Sequence, residues 1–127
     1  MNYRGVIIEE SLENRDVLKM VRILETKVEE ITERHRTPWL KQWTLDTVEI
    51  PEANAEKIAE VISHSLEAEH PWYADFKNAT MHYIIFRNKV FRANRNSEEE
   101  YRAAKEYGIS LGIPEHQVDF SPDVVVE

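Results

Sequence analysis

The sequence has 127 residues, a formal net charge of −8 and no cysteine. The length suits one domain with its own core, and the lack of cysteine excludes disulfides, thiolate metal sites and cysteine nucleophiles. The negative charge disfavours binding to phosphate backbones. No signal-peptide pattern and no apolar run of membrane-spanning length is present. We therefore expect a soluble, cytoplasmic single domain over residues 1–127, fraying at 121–127.

Three strands are predicted in the first half of the chain. Residues 3–10 contain the β-branched run Val6, Ile7 and Ile8, which is typical of a central strand. Residues 20–31 alternate imperfectly between apolar and polar side chains, and residues 41–50 are rich in residues that favour strands. A short helical turn is predicted between the first two strands, near Leu12 and Val17.

The clearest amphipathic pattern predicts a helix over residues 53–68. Pro51 precedes it and Pro71 stops it. The positions expected to be buried, spaced three and four apart, are Ala55, Ile58, Ala59, Ile62, Ser65 and Leu66. The positions between them, including Glu56, Glu60 and His64, are expected to face solvent.

A hairpin and a second helix are predicted after this. Met81 to Phe86 form one strand, and a turn at Asn88 and Lys89 leads into the next at Val90, which would place Phe86 opposite Phe91. Ser97 begins the last helix, because Glu100 three residues later completes a capping box, and Gly108 ends it. The apolar segment 109–120 is expected to pack against the domain.

This order of elements predicts an α+β fold in two layers. The strands joined by short connections favour a mostly antiparallel sheet of four or five strands, and the two main helices cover it.

The sequence resembles a family of small uncharacterised prokaryotic proteins of unknown function. The resemblance extends to Phe120 and implies one compact domain, with no activity or cofactor attached. The segments that carry it are YRGVIIEESLEN, TPWLKQWTL, WYADFKN, HYIIFRNKVF and YGISLGIPEHQVDF.

The stretch HPWYADFKN, residues 70–78, is the best candidate for a binding site. Aromatic walls with a few polar groups suit a small ligand, although loop aromatics also serve as a packed plug at the end of a core. The candidate ligand-binding residues are Trp39, Trp43, His70, Trp72, Tyr73, Asp75 and Lys77.

A basic hairpin offers a weaker alternative, because residues 80–95 contain no acidic residue. Cations interleaved with aromatic rings can bind single-stranded nucleic acid, but the net charge opposes this and the rings can equally face the core. The residues concerned are Arg87, Lys89, Phe91, Arg92 and Arg95.

No catalytic motif, cofactor or metal site is predicted. Only three glycines are present, too few for a phosphate-cradling loop or a dinucleotide fingerprint. His64, Glu67 and His70 are spaced three apart, but His70 adjoins Pro71 beyond the regular helix, so the five histidines are interpreted as exposed helix and loop residues. Acid pairs such as Glu9 and Glu10 are interpreted as solvated surface.

We therefore expect a non-enzymatic binding module that contacts a protein partner or a small ligand through its tryptophan-rich end. A homodimer is compatible with such an apolar end. A small enzyme that uses His70, Asp75 and Lys77 is the main alternative.

Overall fold

The computed structural model of the protein describes residues 1–30 and 40–113. Its six strands are β1 (Tyr3–Ile8), β2 (Arg22–Glu30), β3 (Gln42–Ile50), β4 (Tyr73–Lys77), β5 (Met81–Phe86) and β6 (Lys89–Asn94). The helices are α1 (Ala55–Ser65) and α2 (Glu98–Ser110). The strands form one antiparallel sheet in the order β2-β3-β1-β4-β5-β6. The α+β class is confirmed, with six strands rather than four or five.

The additional strand is β4, which lies inside the stretch HPWYADFKN. Its five residues alternate between the two faces of the sheet, and both faces are covered there, so the polar–apolar alternation of a half-exposed strand is missing. Ala74 and Phe76 lie on one face, whereas Tyr73, Asp75 and Lys77 lie on the other. A segment interpreted as a loop is therefore a central strand.

The two helices cover opposite faces of the sheet at the β5 end. Tyr83 and Ile85 of β5 join the apolar cluster that contains Ile58 and Ile62 of α1. Ile84 and Phe86, which alternate with them, join the cluster beneath α2. We name these surfaces the α1 face and the α2 face. Because β5 is buried on both, this end of the sheet has three layers.

Helix α1 has the phase that its sequence predicts. Ile58, Ile62 and Leu66 are buried, whereas Glu56, Glu60 and His64 are exposed, as expected from the apolar stripe.

The β5–β6 turn differs by one residue from its prediction. The turn residues are Arg87 and Asn88, so Phe86 pairs with Lys89, and Phe91 pairs with Ile84. Asn88 adopts a positive φ of 59°, a conformation that asparagine tolerates better than most residues, which fixes the turn at this position. The Phe86 and Phe91 rings still touch edge to face, at 5.9 Å between centroids.

Helix α2 begins as predicted and ends later. The Ser97 side chain caps it by accepting a hydrogen bond from the Glu100 backbone N–H. Gly108 lies buried within the helix, and Gly112, with φ of 94°, is the glycine in the left-handed region. Ile113 is buried as expected, but Ile109 and Leu111 are exposed. The residues from 114 onward, including Val118, Phe120 and 121–127, lie outside the described part.

In the described ranges 1–30 and 40–113, neither helix has the length and apolar character needed to cross a bilayer.

Candidate functional site

The predicted binding residues divide between the two faces of the sheet. Trp43 and Trp72 pack with the α1-face cluster, and Tyr73 packs with the α2-face cluster. Asp75 and Lys77 share the α2 face with Tyr73. His70 lies between helix and strand, and Trp39 falls outside the described residues. HPWYADFKN therefore contributes to two separate places.

Trp72 is mainly a packing residue. It is 7% exposed and lies 5.9 Å from Trp43 between ring centroids. Phe76 is also buried, at 1% exposure. Both rings pack in the α1-face core, Phe76 from the central strand β4 and Trp72 from the loop before it. Packing of this kind is common for loop aromatics such as Trp72.

A cavity of about 310 Å³ lies beside Trp72, at the loop of residues 66–72 that joins α1 to β4. We name this segment the α1–β4 loop. The wall combines apolar side chains with charged and amide groups. The lining residues are Ala68, Glu69, His70, Pro71, Trp72, Arg87, Asn88 and Leu111.

The α1–β4 loop is held by hydrogen bonds at its first residues. Leu66 forms an isolated antiparallel bridge with Leu12, and its carbonyl accepts a hydrogen bond of 2.6 Å from Arg87 Nη1. The Glu67 N–H donates to the Ser11 carbonyl at 2.9 Å. The start of the loop is therefore fixed to the N-terminal segment and to the β5–β6 turn.

The carboxylate of Glu67 links the side chains of this loop. It pairs with His70 Nδ1, and Trp72 Nε1 donates to it at 3.0 Å. Burial raises the pKa of Glu67, but the hydrogen bonds from His70 and Trp72 outweigh burial and hold that pKa below its ordinary value. Glu67 is therefore a carboxylate whose orientation is set by two neighbouring rings.

Three potential metal ligands converge on the loop. One ligand atom each from Glu67, Glu69 and His70 lies within 4.8 Å of the other two. Sequence reasoning considered His64 with Glu67 and His70, but His64 lies on the exposed side of α1. Glu69, the residue before His70, was missed because sequence reasoning looked for helical spacing, and the α1–β4 loop brings all three ligand atoms together outside the helix.

A hydrogen-bonded chain crosses the α2 face. His82 Nε2 lies 2.7 Å from Asp75 Oδ2, and His82 Nδ1 lies 3.1 Å from the Tyr101 hydroxyl. Burial raises the pKa of Tyr101, and the nearby Arg95 side chain opposes that effect. In the tautomer that carries its proton on Nε2, His82 donates a hydrogen bond to Asp75 and accepts one from the Tyr101 hydroxyl.

The burial of His82 corrects one sequence interpretation. The residue is 2% exposed within β5, and is neither a helix nor a loop histidine. Its partner Asp75 has a side chain that is 31% exposed. The hydrogen bonds from Tyr101 through His82 therefore connect the interior to the partly exposed carboxylate of Asp75.

Lys77 lies beside this chain on the α2 face and is 7% exposed. Burial lowers its pKa, the Asp75 carboxylate opposes that effect, and the charge of Arg95 adds to it. The two polar residues predicted from the sequence, Asp75 and Lys77, are thus electrostatic neighbours.

A second acidic site lies on the β3 side of the sheet. Asp46 is fully buried, and its Oδ1 accepts a 2.7 Å hydrogen bond from Thr26. Its Oδ2 receives no donor from the described residues unless Glu9 is protonated. The hydrogen bond to Asp46 raises the pKa of Glu9 to about 7, together with burial and the charge of Asp46. Glu9 is therefore not the solvated acid expected from its Glu9–Glu10 sequence.

The basic hairpin does not gather its cations on one surface. Lys89 lies over the Phe91 ring, at 5.3 Å, whereas Arg92 lies over Tyr83 at 5.8 Å on the opposite face. Phe91 is half-buried against Phe86 and Tyr107. The solvent-facing ring between cations that would favour nucleic-acid binding is not formed there.

Comparisons of the chain with protein-family models, with curated proteins and with solved structures find no match. The resemblance to a family of small prokaryotic proteins stays a prediction.

Proposed function

We propose that this protein is a small non-enzymatic binding module that takes a small polar molecule into the cavity at the α1–β4 loop. The observation that carries this proposal is the cavity itself, about 310 Å³ with an apolar wall and convergent polar groups. That volume is at the lower end of the range for ligand sites, roughly 300–1,000 Å³. The proposal includes the cytoplasmic location predicted from the sequence.

The lining indicates the chemistry of the ligand. Pro71, Trp72 and Leu111 provide apolar surface for a short hydrocarbon or a ring. Arg87 and Asn88 provide donors, Glu69 provides carboxylate acceptors, and His70 can donate or accept. A compact molecule with one apolar side and an anionic or hydroxylated group matches this wall.

A thermal-shift screen of small carboxylic acids, sugars and alcohols tests the proposal. A ligand that binds only the folded chain raises the melting temperature as its concentration exceeds Kd. Compounds that bind the parent should bind His70→Asn at least about tenfold more weakly or not at all. Their binding should persist in His64→Asn, which changes the same residue type on the exposed side of α1. Equal binding to all three proteins would contradict the cavity as the site.

A second candidate function is catalysis at Asp75, favoured by the chain from Tyr101 through His82. A partly exposed carboxylate oriented by a buried imidazole has the arrangement of a general base. An ester and phosphoester substrate panel on the parent and on Asp75→Asn tests this. Turnover by the parent that is lost in Asp75→Asn would support catalysis. If the parent turns over no substrate, the hydrogen bonds among Tyr101, His82 and Asp75 have a structural role.

A further inference from the structure

The α1–β4 loop has a property that ligand binding in the cavity does not require. Glu67, Glu69 and His70 offer two carboxylates and one imidazole within four consecutive positions. We propose that these residues bind a zinc-like divalent ion at the edge of the cavity, and that the cavity ligand carries a group that coordinates this ion. The metal site is independent of the proposed function, whereas the coordinating ligand rests on it.

The ligand types select the class of ion. Imidazole nitrogen favours zinc and its first-row neighbours, whereas magnesium and calcium prefer sites made of oxygen alone. Zinc sites that keep a position open for water or substrate use three protein ligands, commonly histidine with carboxylate. The loop provides that number and that combination.

The separation of the ligand atoms is close to what an ion requires. Two ligands of a tetrahedral zinc ion lie about 3.4 Å apart, given bonds of about 2.0–2.2 Å. The three ligand atoms lie within 4.8 Å of one another, so contraction around an ion needs side-chain adjustments of about an ångström. Glu69 is exposed, so its side chain has room to adjust. An ion bound between Glu67 and His70 Nδ1 would replace the direct pairing of these two side chains.

Neighbouring groups orient the Glu67 carboxylate for metal binding. Trp72 Nε1 donates to the Glu67 carboxylate at 3.0 Å, and Trp72 is itself locked in the core. Metal ligands in proteins are commonly oriented by such outer hydrogen bonds. The backbone of Leu66 and Glu67 is tied to Leu12 and Ser11, so the segment that carries the ligands is fixed at its start.

The cavity places a ligand beside the ion. Glu69 and His70 belong both to the metal-ligand group and to the cavity wall. An ion held by them therefore borders the cavity, where a carboxylate or hydroxyl oxygen of the ligand can complete its coordination. Arg87, in the same wall, adds positive charge that favours an anionic group.

Isothermal titration with zinc chloride tests the metal site on the full chain, after chelator treatment and desalting. The parent should bind zinc, and Glu69→Gln and His70→Gln should each weaken binding at least about tenfold. His64→Gln is the matched control and should bind like the parent. Glu69 is exposed, so Glu69→Gln should keep the parent's far-UV spectrum and remains informative if His70→Gln misfolds. No zinc binding by the parent, or equal affinity in all four proteins, would overturn the inference.

The ligand screen repeated with zinc and with chelator separates the two proposals. Hits that require zinc would support both. Hits that persist in chelator, from a parent that binds no zinc, would overturn the metal site and leave the binding module intact. Zinc binding without any hit would support the metal site and count against the proposed function.

Discussion

At the scale of single residues, two of the buried polar side chains, Asp46 and His82, have hydrogen-bond partners that are distant in sequence. Thr26 donates a hydrogen bond to Asp46, whose carboxylate raises the pKa of Glu9, and His82 lies between Asp75 and Tyr101. A buried polar atom without a partner costs about 1–3 kcal/mol, so these pairings decide whether the core is stable. Two of them can be tested by substitution.

The proton of Glu9 should make stability depend on pH. Its pKa is about 7 in the folded protein and 4.5 ordinarily, so the folded state binds more protons between these values. The contribution is fully present below pH 4.5 and is lost as pH rises through about 7. Glu9→Gln replaces the proton with an amide donor to Asp46. Urea titrations from pH 5 to 8 should show stability falling in the parent and a flatter profile in Glu9→Gln.

An exposed carboxylate is the control for this experiment. Glu25→Gln on β2 removes a similar charge from solvent and should leave the slope of the parent unchanged. Parallel slopes in the parent and Glu9→Gln would mean that Glu9 and Asp46 do not share a proton.

The hydrogen bond between His82 and Tyr101 should appear as coupling in a double-mutant cycle. Tyr101→Phe should cost about 1 kcal/mol in the parent, because His82 Nδ1 loses its buried partner. In a His82→Leu background the same change should cost clearly less, because no imidazole remains to be satisfied. Unfolding free energies from urea titration measure both. Additive costs would show that the two side chains are neighbours without a significant hydrogen bond.

At the scale of elements, the central strand β1 depends on close approach to β4. A Cβ placed on Gly5 would lie 2.0 Å from the Asp75 carbonyl oxygen and 2.6 Å from Phe76 Cα. Because these are backbone atoms, no side-chain rotation relieves the clash. The glycine is therefore required by packing between strands and not by a special φ angle.

Gly5→Ala should destabilise the protein by about 3 kcal/mol or more, since two paired strands must move apart. Gly112→Ala is the matched control, because a Cβ there meets nothing within 4 Å and only the positive φ opposes it. That backbone cost should be about 1 kcal/mol. Urea midpoints of the two variants make the comparison, and a milder effect at Gly5 than at Gly112 would contradict the packing argument.

The elements that could be predicted from the sequence are those with one buried, apolar side and one exposed, polar side. Helix α1 was recognised because Ile58 and Ile62 alternate with exposed residues at helical spacing. Strand β4 was missed because both faces are covered, and the burial of His82 was missed for the same reason in β5. At the candidate site, the contribution of His70 was predictable from its aromatic neighbours. The contribution of Glu69 was not, because the convergence of its carboxylate with Glu67 and His70 depends on the conformation of the loop after α1 ends at Ser65.

At the scale of the whole molecule, the two apolar clusters share one strand. Successive residues of β5 enter the α1-face and α2-face clusters in turn, as Tyr83, Ile84 and Ile85 illustrate. Neither cluster can lose its packing without disturbing the backbone that supports the other. We therefore expect one cooperative unfolding transition, as in most single domains of this size.

Ile62→Ala on the α1 face should test this cooperativity. The side chain is fully buried, so its truncation should cost roughly 2–5 kcal/mol. Tryptophan fluorescence, which includes Trp43 and Trp72 of the α1-face cluster, and far-UV circular dichroism should shift to the same lower urea midpoint. Lys57→Ala, exposed on the same helix, should leave both midpoints near the parent's. Separate midpoints for the two signals would show that the clusters unfold independently.

The ladder between β1 and β4 has a consequence for association between copies. It pairs only Arg4, Gly5 and Val6 with Lys77, Phe76 and Asp75, the shortest ladder of the described sheet. To one side lies the β2-β3-β1 half of the sheet, and to the other lies β4-β5-β6. A chain that opens at this seam exposes two complementary strand edges, and each can pair with the opposite edge of a second opened chain. Helix α1 packs against β5 and belongs with the second half, so only residues 51–54, between β3 and α1, can act as a hinge. We therefore expect any domain-swapped dimer of this chain to exchange these two halves through that short connection.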